Sequence, residues 1–303
     1  MSVYSINTML LGAVIMWGCG SNDKENGGSA TCDNASMSGY RTIVQGDTTR
    51  EYILHVPSGY DSGTPLPLVI AYHGNGECAD QFASLEANLE STADSSNFIL
   101  AYPQGVVRAK GANEWDPGDD GTQDINSNDL VFTEQLIADI SGAYSVDASR
   151  IYAVGYSNGG MMAYGMACAR GNLIAAAGIM SGIMLPGECN ASEYTSIIHF
   201  HGTADDSLPY NGNSEYQSVQ NVIDFWVAHN GISDATPTSS DLGGGVVRDE
   251  YIGGSEDTSV VLYTIDNGGH VWFSDSIGGE QPNQILWNFI SQYNVNGRVD
   301  TSE

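Results

Sequence analysis

Basic residues are scarce in this chain. Its 303 residues hold 9 Lys and Arg against 37 Asp and Glu, a formal net charge of -28. Nucleic acids and anionic membrane surfaces are bound through a basic face, so this balance argues against both as partners and against an anionic polymer as substrate. Long apolar runs are missing after the first twenty residues, which points to a soluble mature body. The cysteines number 5, and none of their spacings resembles a zinc site. Histidine is limited to 6, so imidazole chemistry has few places to occur. The length suits one large domain with a leader, with no stretch left over for an appended binding module. The expected division is a leader over 1–19, a polar linker over 20–38, the domain over 39–295 and a tail over 296–303.

What is present begins with an apolar segment, Thr8 to Trp17, too short to span a membrane and fitting the hydrophobic region of a secretory signal. It runs into Gly18-Cys19-Gly20. The small residue before Cys19 resembles a bacterial lipoprotein signal and makes Cys19 a candidate lipid anchor. The leader lacks Lys or Arg ahead of the apolar run, and Met16 and Trp17 depart from the usual pattern, so a plain signal peptide is the alternative. Both readings predict export; a mis-set start codon is the remaining alternative. Ser21 to Ser38, rich in Gly, Asn and Ser, reads as a flexible tether. In an exported chain Cys32, Cys78, Cys168 and Cys189 suggest two disulfides, with free buried thiols as the alternative. Cys168 ends a helix and Cys189 lies in the loop after the next strand, which makes them a plausible pair. Cys32 with Cys78 would then pin the N-terminal arm near the loop that follows the first buried strand.

The body alternates strands and helices. Arg41 to Val56 alternates apolar and polar residues about a Gly-containing turn and predicts an antiparallel hairpin at a sheet edge. Pro65 to Tyr72 is a continuous apolar run, hence a strand buried on both faces, and Phe98 to Tyr102 is another. Between them Ala79 to Asp94 reads as one amphipathic helix. Val106 to Asn128 is a long polar loop holding Trp115, followed by a helix over Asp129 to Tyr144. Further strands are expected at Ile151 to Val154, Leu173 to Ser181, Thr195 to Phe200, Val246 to Ile252 and Ser259 to Ile265. Further helices are expected at Gly160 to Cys168, Ser214 to Asn230 and Gln281 to Tyr293. This alternation predicts an α/β fold with a mostly parallel central sheet and helices on both faces.

The densest chemical signal is Gly155-Tyr156-Ser157-Asn158-Gly159, which lies between a strand and a helix. Gly-x-Ser-x-Gly in that context is a nucleophile elbow: the glycines leave room for a strained turn that pushes the serine hydroxyl clear of the sheet. The N–H of Asn158, at the helix start, can donate to a developing oxyanion. A serine nucleophile needs a base and an acid. His73, His199 and His201 sit at or before the ends of buried strands, His229 is near a helix end, and His55 lies in the hairpin. His270 alone lies in a glycine-flanked loop after a late strand, so it is the candidate base. The acid must orient that imidazole. Asp205 and Asp206 both lie past a strand end, while Asp266 is too near His270 in the chain. The order serine, acid, histidine is that of the α/β-hydrolase fold.

At these residues the chain from about Gly39 to Tyr293 resembles the polyhydroxybutyrate depolymerase-type esterase family, which also holds feruloyl and acetylxylan esterases. The matching segments are Leu68-Val-Ile-Ala-Tyr-His-Gly74, Asn128-Asp129 with Phe132, Val146-Asp147 with Arg150-Ile-Tyr152, Gly155-Tyr-Ser-Asn-Gly-Gly-Met-Met-Ala-Tyr164, His201-Gly-Thr-Ala-Asp205 with Pro209-Tyr210, and Gly268-Gly-His270-Val-Trp272. The resemblance implies Ser157 as nucleophile, Asp205 rather than Asp206 as acid, His270 as base, and an oxyanion hole from the backbone N–H groups of Asn158 and Asn75. Family members often carry Cys where this chain has Asn75, but a backbone donor does not depend on its side chain.

The expected reaction is hydrolysis of carboxylic esters, with no metal or organic cofactor required. Tyr156, Trp115, Tyr210 and Trp272 are candidate walls for an aromatic or polymeric acyl group, with core packing as the alternative for each. Two substrate classes compete: feruloyl or acetyl esters of plant polysaccharide, and polyesters such as polyhydroxyalkanoate. A hydrolase-fold protein that only binds its ligand, and acyl transfer to a sugar, are further alternatives. The expected partner is an ester, either small or polymeric, and the enzyme is expected to act as an exported monomer.

Overall fold

The computed structural model of the chain describes residues 32, 40–108, 111–117, 127–185, 189 and 193–299. The expected leader, Cys19 and the tether except Cys32 lie outside these residues. Strands β1 (Tyr40–Gln45) and β2 (Thr48–His55) form the expected hairpin, and β3 (Leu66–Tyr72) is buried at every position. Helix α1 (Ala79–Gln81), a π-helical turn over Phe82–Ala87 and α2 (Glu90–Ser96) follow. Next come β4 (Ile99–Pro103), the short strands β5 (Val106–Val107) and β6 (Asn113–Glu114), and α3 (Asn128–Ala143). Then β7 (Val146–Tyr156), α4 (Asn158–Ala169), β8 (Ala176–Met180) and β9 (Ser196–Gly202) lead to α5 (Val219–His229). The chain closes with β10 (Thr238–Asp241), β11 (Val246–Tyr251), β12 (Val260–Ile265), α6 (Pro282–Ile290), β13 (Tyr293–Asn294) and β14 (Gly297–Arg298).

Ten strands form one sheet in the order β1-β2-β4-β3-β7-β8-β9-β12-β11-β10. The six from β4 to β12 are parallel, and antiparallel pairs close both edges. Parallel strands need crossovers that cover both faces, which is why β3, β8 and β9 are buried at every position and β3 and β8 are apolar throughout. The α/β reading therefore holds. In such a sheet, loops at the carboxyl ends of the parallel strands converge on one rim, and a site is expected there.

Three local expectations are corrected. The single helix over Ala79 to Asp94 is broken, because Asn88 takes a left-handed conformation (φ 43°) at the end of the π-helical turn and the chain restarts at Leu89. Asn tolerates that region better than most residues, so it was the available breaker. The helix over Ser214 to Asn230 starts only at Val219: Asn213 Oδ1 accepts from the N–H groups of Glu215 and Tyr216, and Ser218 caps Asn221. The tail does not begin at 296, since β14 pairs with β13 and the Val295 N–H bonds the Ser149 carbonyl. Both suggested disulfides are present, Cys32–Cys78 closing 46 residues and Cys168–Cys189 closing 21. Closing loops of this size restricts the unfolded chain and is worth roughly 3–4 kcal/mol each in the chain-entropy view.

Candidate active site

The elbow has the geometry its glycines predict. Ser157 sits between β7 and α4 with φ 54° and ψ -119°, a conformation costly for a residue with a Cβ. A Cβ on Gly155 would lie 2.1 Å from the Gly159 carbonyl oxygen, and one on Gly159 would lie 2.1 Å from the Tyr72 carbonyl oxygen. Neither position admits any other residue without moving backbone. The Ser157 N–H donates to the Met180 carbonyl at 3.0 Å, tying the turn to β8.

Ser157 Oγ lies 2.8 Å from His270 Nε2, and His270 Nδ1 lies 2.7 Å from Asp205 Oδ2. The three residues follow β7, β12 and β9, at the same rim of the sheet. Asp206 and Asp266 do not reach the imidazole: the first is paired with Ser207 and the second with Thr203 and Asn267. The other oxygen of Asp205 accepts from the N–H groups of Ser207 (3.0 Å) and Leu208 (2.8 Å). Burial pushes the Asp205 carboxyl up, but hydrogen bonds from His201, His270 and Leu208, with the His270 charge, outweigh it and hold the carboxyl far below its ordinary range. The loops that carry Asp205 and His270 are held together at Gly202, where a Cβ would lie 2.1 Å from the Gly268 carbonyl oxygen. The Ala204 N–H then donates to that same oxygen at 2.9 Å. Tyr156 Oη donates to the His270 carbonyl and Ser181 Oγ to the Val271 carbonyl, each at 2.9 Å.

Among the described residues, neither the Asn158 N–H nor the Asn75 N–H has an acceptor. Asn158 opens α4, where the helix leaves its first N–H groups unpaired and carries its positive end. Asn75 is exposed in the loop after β3. That loop is braced from several sides. His73 Nε2 accepts from the Gly105 N–H at 2.9 Å, so Nδ1 carries the hydrogen and donates to the Gly74 carbonyl at 2.7 Å. Burial keeps His73 neutral, its pKa pushed down to about 4. The Gly74 N–H donates to Glu77 Oε2 and the Gly76 N–H to the Asn113 carbonyl, both at 2.8 Å.

Glu77 is pushed up from 4.5 to about 7, first by burial and then by the neighbouring Glu86 charge, itself raised by burial. The folded state thus holds a proton that the unfolded chain releases near 4.5. Stability from this group is present at low pH and is lost as pH rises through about 7. Wild type is therefore expected to lose melting temperature relative to Glu77→Gln between about pH 5 and pH 8, as read by parallel thermal melts. Equal slopes would refute it.

Of the four aromatic residues read as walls or core packing, Trp115, Tyr156 and Trp272 are buried and Tyr210 is half-buried. Trp115 is 2 % exposed, and its indole N–H donates to the His73 carbonyl at 3.0 Å. Its backbone accepts from and donates to the Asn158 side chain at 3.2 and 2.7 Å, so it braces the elbow from beneath. Tyr156 packs against the His270 ring at 5.2 Å between centroids. Tyr210 bonds Thr264 Oγ1 and meets His201 edge-on. Trp272 lies edge-on to Phe82 and donates to Asn283, and it touches a groove of about 650 Å³ that also borders Leu85, Glu86 and Phe273. Large rings at loop bases gain more from burial than from exposure, which sequence position alone does not reveal.

Asp129, read from sequence only as part of a matching motif and a helix start, has a larger role. It is fully buried, and Arg50 (2 % exposed) meets its Oδ1 at 2.7 Å. Its Oδ2 takes Arg108 and, at 2.8 Å, the Asp116 N–H. The residue next to Trp115 is thereby anchored to α3.

Residues 46–245 match the family described as Putative esterase. The chain is 28 % identical over 254 residues to a probable feruloyl esterase C of Aspergillus terreus, covering 82 % of this chain and 86 % of that one. It is 28 % identical over 257 residues to a bifunctional acetylxylan esterase/xylanase of Neocallimastix patriciarum, covering 82 % of this chain and 34 % of the other. In structure it is similar to an acetyl xylan esterase from Aspergillus awamori, with a TM-score of 0.63 at 14 % identity over 84 % of this chain and 99 % of the other. That likeness carries the fold, and the family match with the curated relatives carries the activity class. The chain belongs to the putative esterase family and is an α/β-hydrolase that hydrolyses carboxylic esters.

Proposed function

We propose that Ser157, His270 and Asp205 form a Ser-His-Asp triad that hydrolyses feruloyl- or acetyl-type esters of plant polysaccharide. The observation that carries the triad is the unbroken run of bonds from Ser157 Oγ through His270 to Asp205, at 2.8 and 2.7 Å. His270 Nε2 takes the serine proton as Oγ attacks the ester carbonyl, and Asp205 stabilises the imidazolium. The N–H groups of Asn158 and Asn75 receive the oxyanion of the tetrahedral intermediate. His270 returns the proton to the leaving alcohol. It then activates a water that releases the acid and frees Ser157.

The substrate class is supported by the feruloyl and acetylxylan esterase names of the relatives. Export is supported by the two disulfides, which persist in oxidising compartments. The test is hydrolysis of methyl ferulate, acetylated xylan and a polyhydroxybutyrate film, together with labelling by diethyl p-nitrophenyl phosphate. Turnover of either plant-type ester with one phosphoryl group on Ser157 is the expected result. Turnover of the film alone would replace the substrate reading with a polyester one, and labelling at another residue would overturn the triad.

A further inference from the structure

Three buried side chains lie behind the triad and take no part in the reaction just described. His201, on β9, is 0 % exposed; its Nε2 lies 2.8 Å from the Leu208 carbonyl oxygen and 3.3 Å from Asp205 Oδ2. A carbonyl and an ionised carboxylate only accept, so this nitrogen carries a hydrogen and donates. Its Nδ1 lies 3.0 Å from Nε2 of His199, also on β9. His199 Nδ1 lies 2.6 Å from the Tyr164 hydroxyl on α4. Burial, aided by His201, holds His199 well below its ordinary value and so neutral, while burial holds the Tyr164 hydroxyl well above its own.

A neutral His199 has one N–H. Placed on Nε2, it satisfies the whole chain without a buried cation: Tyr164 donates to His199, His199 to His201, and His201 to Leu208 and Asp205. This one-way chain ends on the Asp205 oxygen that also receives the His270 N–H, while backbone N–H groups hold the other oxygen. Resting on the triad reading above, we propose that His201 is a positioning residue: its Nε2–H pins Asp205 Oδ2 against His270, with His199 and Tyr164 fixing its tautomer. Around this cluster the titratable neighbours are Tyr210, edge-on to His201 at 6.0 Å, and Tyr156, Glu77 and Glu86 on the far side of His270.

The test compares wild type, His201→Phe, His201→Gln and Tyr164→Phe, each as the full chain, on p-nitrophenyl acetate. His201→Phe keeps a ring and removes the donor. It is expected to lower kcat about 10- to 100-fold with KM within about twofold, and with an undiminished site count in burst titration. The acid limb of its kcat/KM profile should move to higher pH, because Asp205 loses a donor that shares its negative charge. His201→Gln retains a donor and should recover most of the loss. Tyr164→Phe should move the limb in the same direction with a smaller loss of kcat.

A His201→Phe enzyme with wild-type kcat and an unmoved limb would overturn the proposal. So would a His201→Gln enzyme as poor as His201→Phe at full site count. If His201→Phe fails to fold by circular dichroism, Tyr164→Phe decides, and an unmoved limb there refutes the chain. Activity surviving in Ser157→Ala would instead sink the triad itself, which separates the two failures.

Discussion

Ser157→Ala is expected to lose on the order of a million-fold in kcat, and Ser157→Ala combined with His270→Ala to lose no more than a few-fold beyond that. The reason is that in the proposed triad the three side chains act as one unit. Without Oγ there is no nucleophile for His270 to deprotonate, and without the imidazole the hydroxyl of Ser157 stays a weak nucleophile. What survives is the contribution of the oxyanion donors and of substrate binding, which neither substitution touches. Initial rates with p-nitrophenyl acetate, measured for the two singles and the double, make a complete cycle. Additive losses, with the double near the product of the singles, would mean that Ser157 and His270 act independently despite their 2.8 Å separation.

Asp129→Asn is expected to destabilise the fold by about 3–5 kcal/mol, far more than its single lost charge suggests. Asn has the same shape but leaves the Arg50 guanidinium, 2 % exposed and stacked 3.9 Å over the Phe132 ring, without its counter-charge. A buried unpaired cation is the costly state; a missing pair is not. Arg50→Met with Asp129→Leu should therefore recover much of the stability lost in Asp129→Asn. Urea denaturation of the two variants and wild type measures both effects. A loss below about 1 kcal/mol for Asp129→Asn would show that water or rearrangement compensates Arg50. Activity should fall as well, because the Asp129–Asp116 bond steadies the loop in which Trp115 clasps Asn158.

The residues that bear the proposed chemistry were legible because their signals are local. Gly155 to Gly159 announces the elbow, the run of strand ends before Asp205 and His270 announces the rim, and β3 and β8 are too uniformly apolar to be anything but buried. What supports those residues was not legible. Tyr164 and His199 lie 35 positions apart and meet only because α4 packs near β9, a fact of topology that no spacing encodes. Arg50 and Asp129 meet across 79 positions for the same reason. Trp115 reads from sequence equally as a wall and as core packing, and only the structure shows its indole N–H donating to the His73 carbonyl just past β3. Asn88 gave the one readable hint of the broken helix, since Asn commonly takes left-handed geometry at helix ends.

The order of strands in the sheet also sets a timetable. Ser157 is made early and His270 is 113 residues behind it, on the loop after β12. That strand slots between β9 and β11, so the base arrives only when one of the last parallel pairings forms. Non-local pairings of this kind form slowly, and chains emerge N-terminus first. On the proposed triad, a growing chain that holds Ser157 but not yet His270 has no base to activate the hydroxyl. On that reading reactivity awaits the pairing of β12, and a chain stalled before it carries a serine without its base.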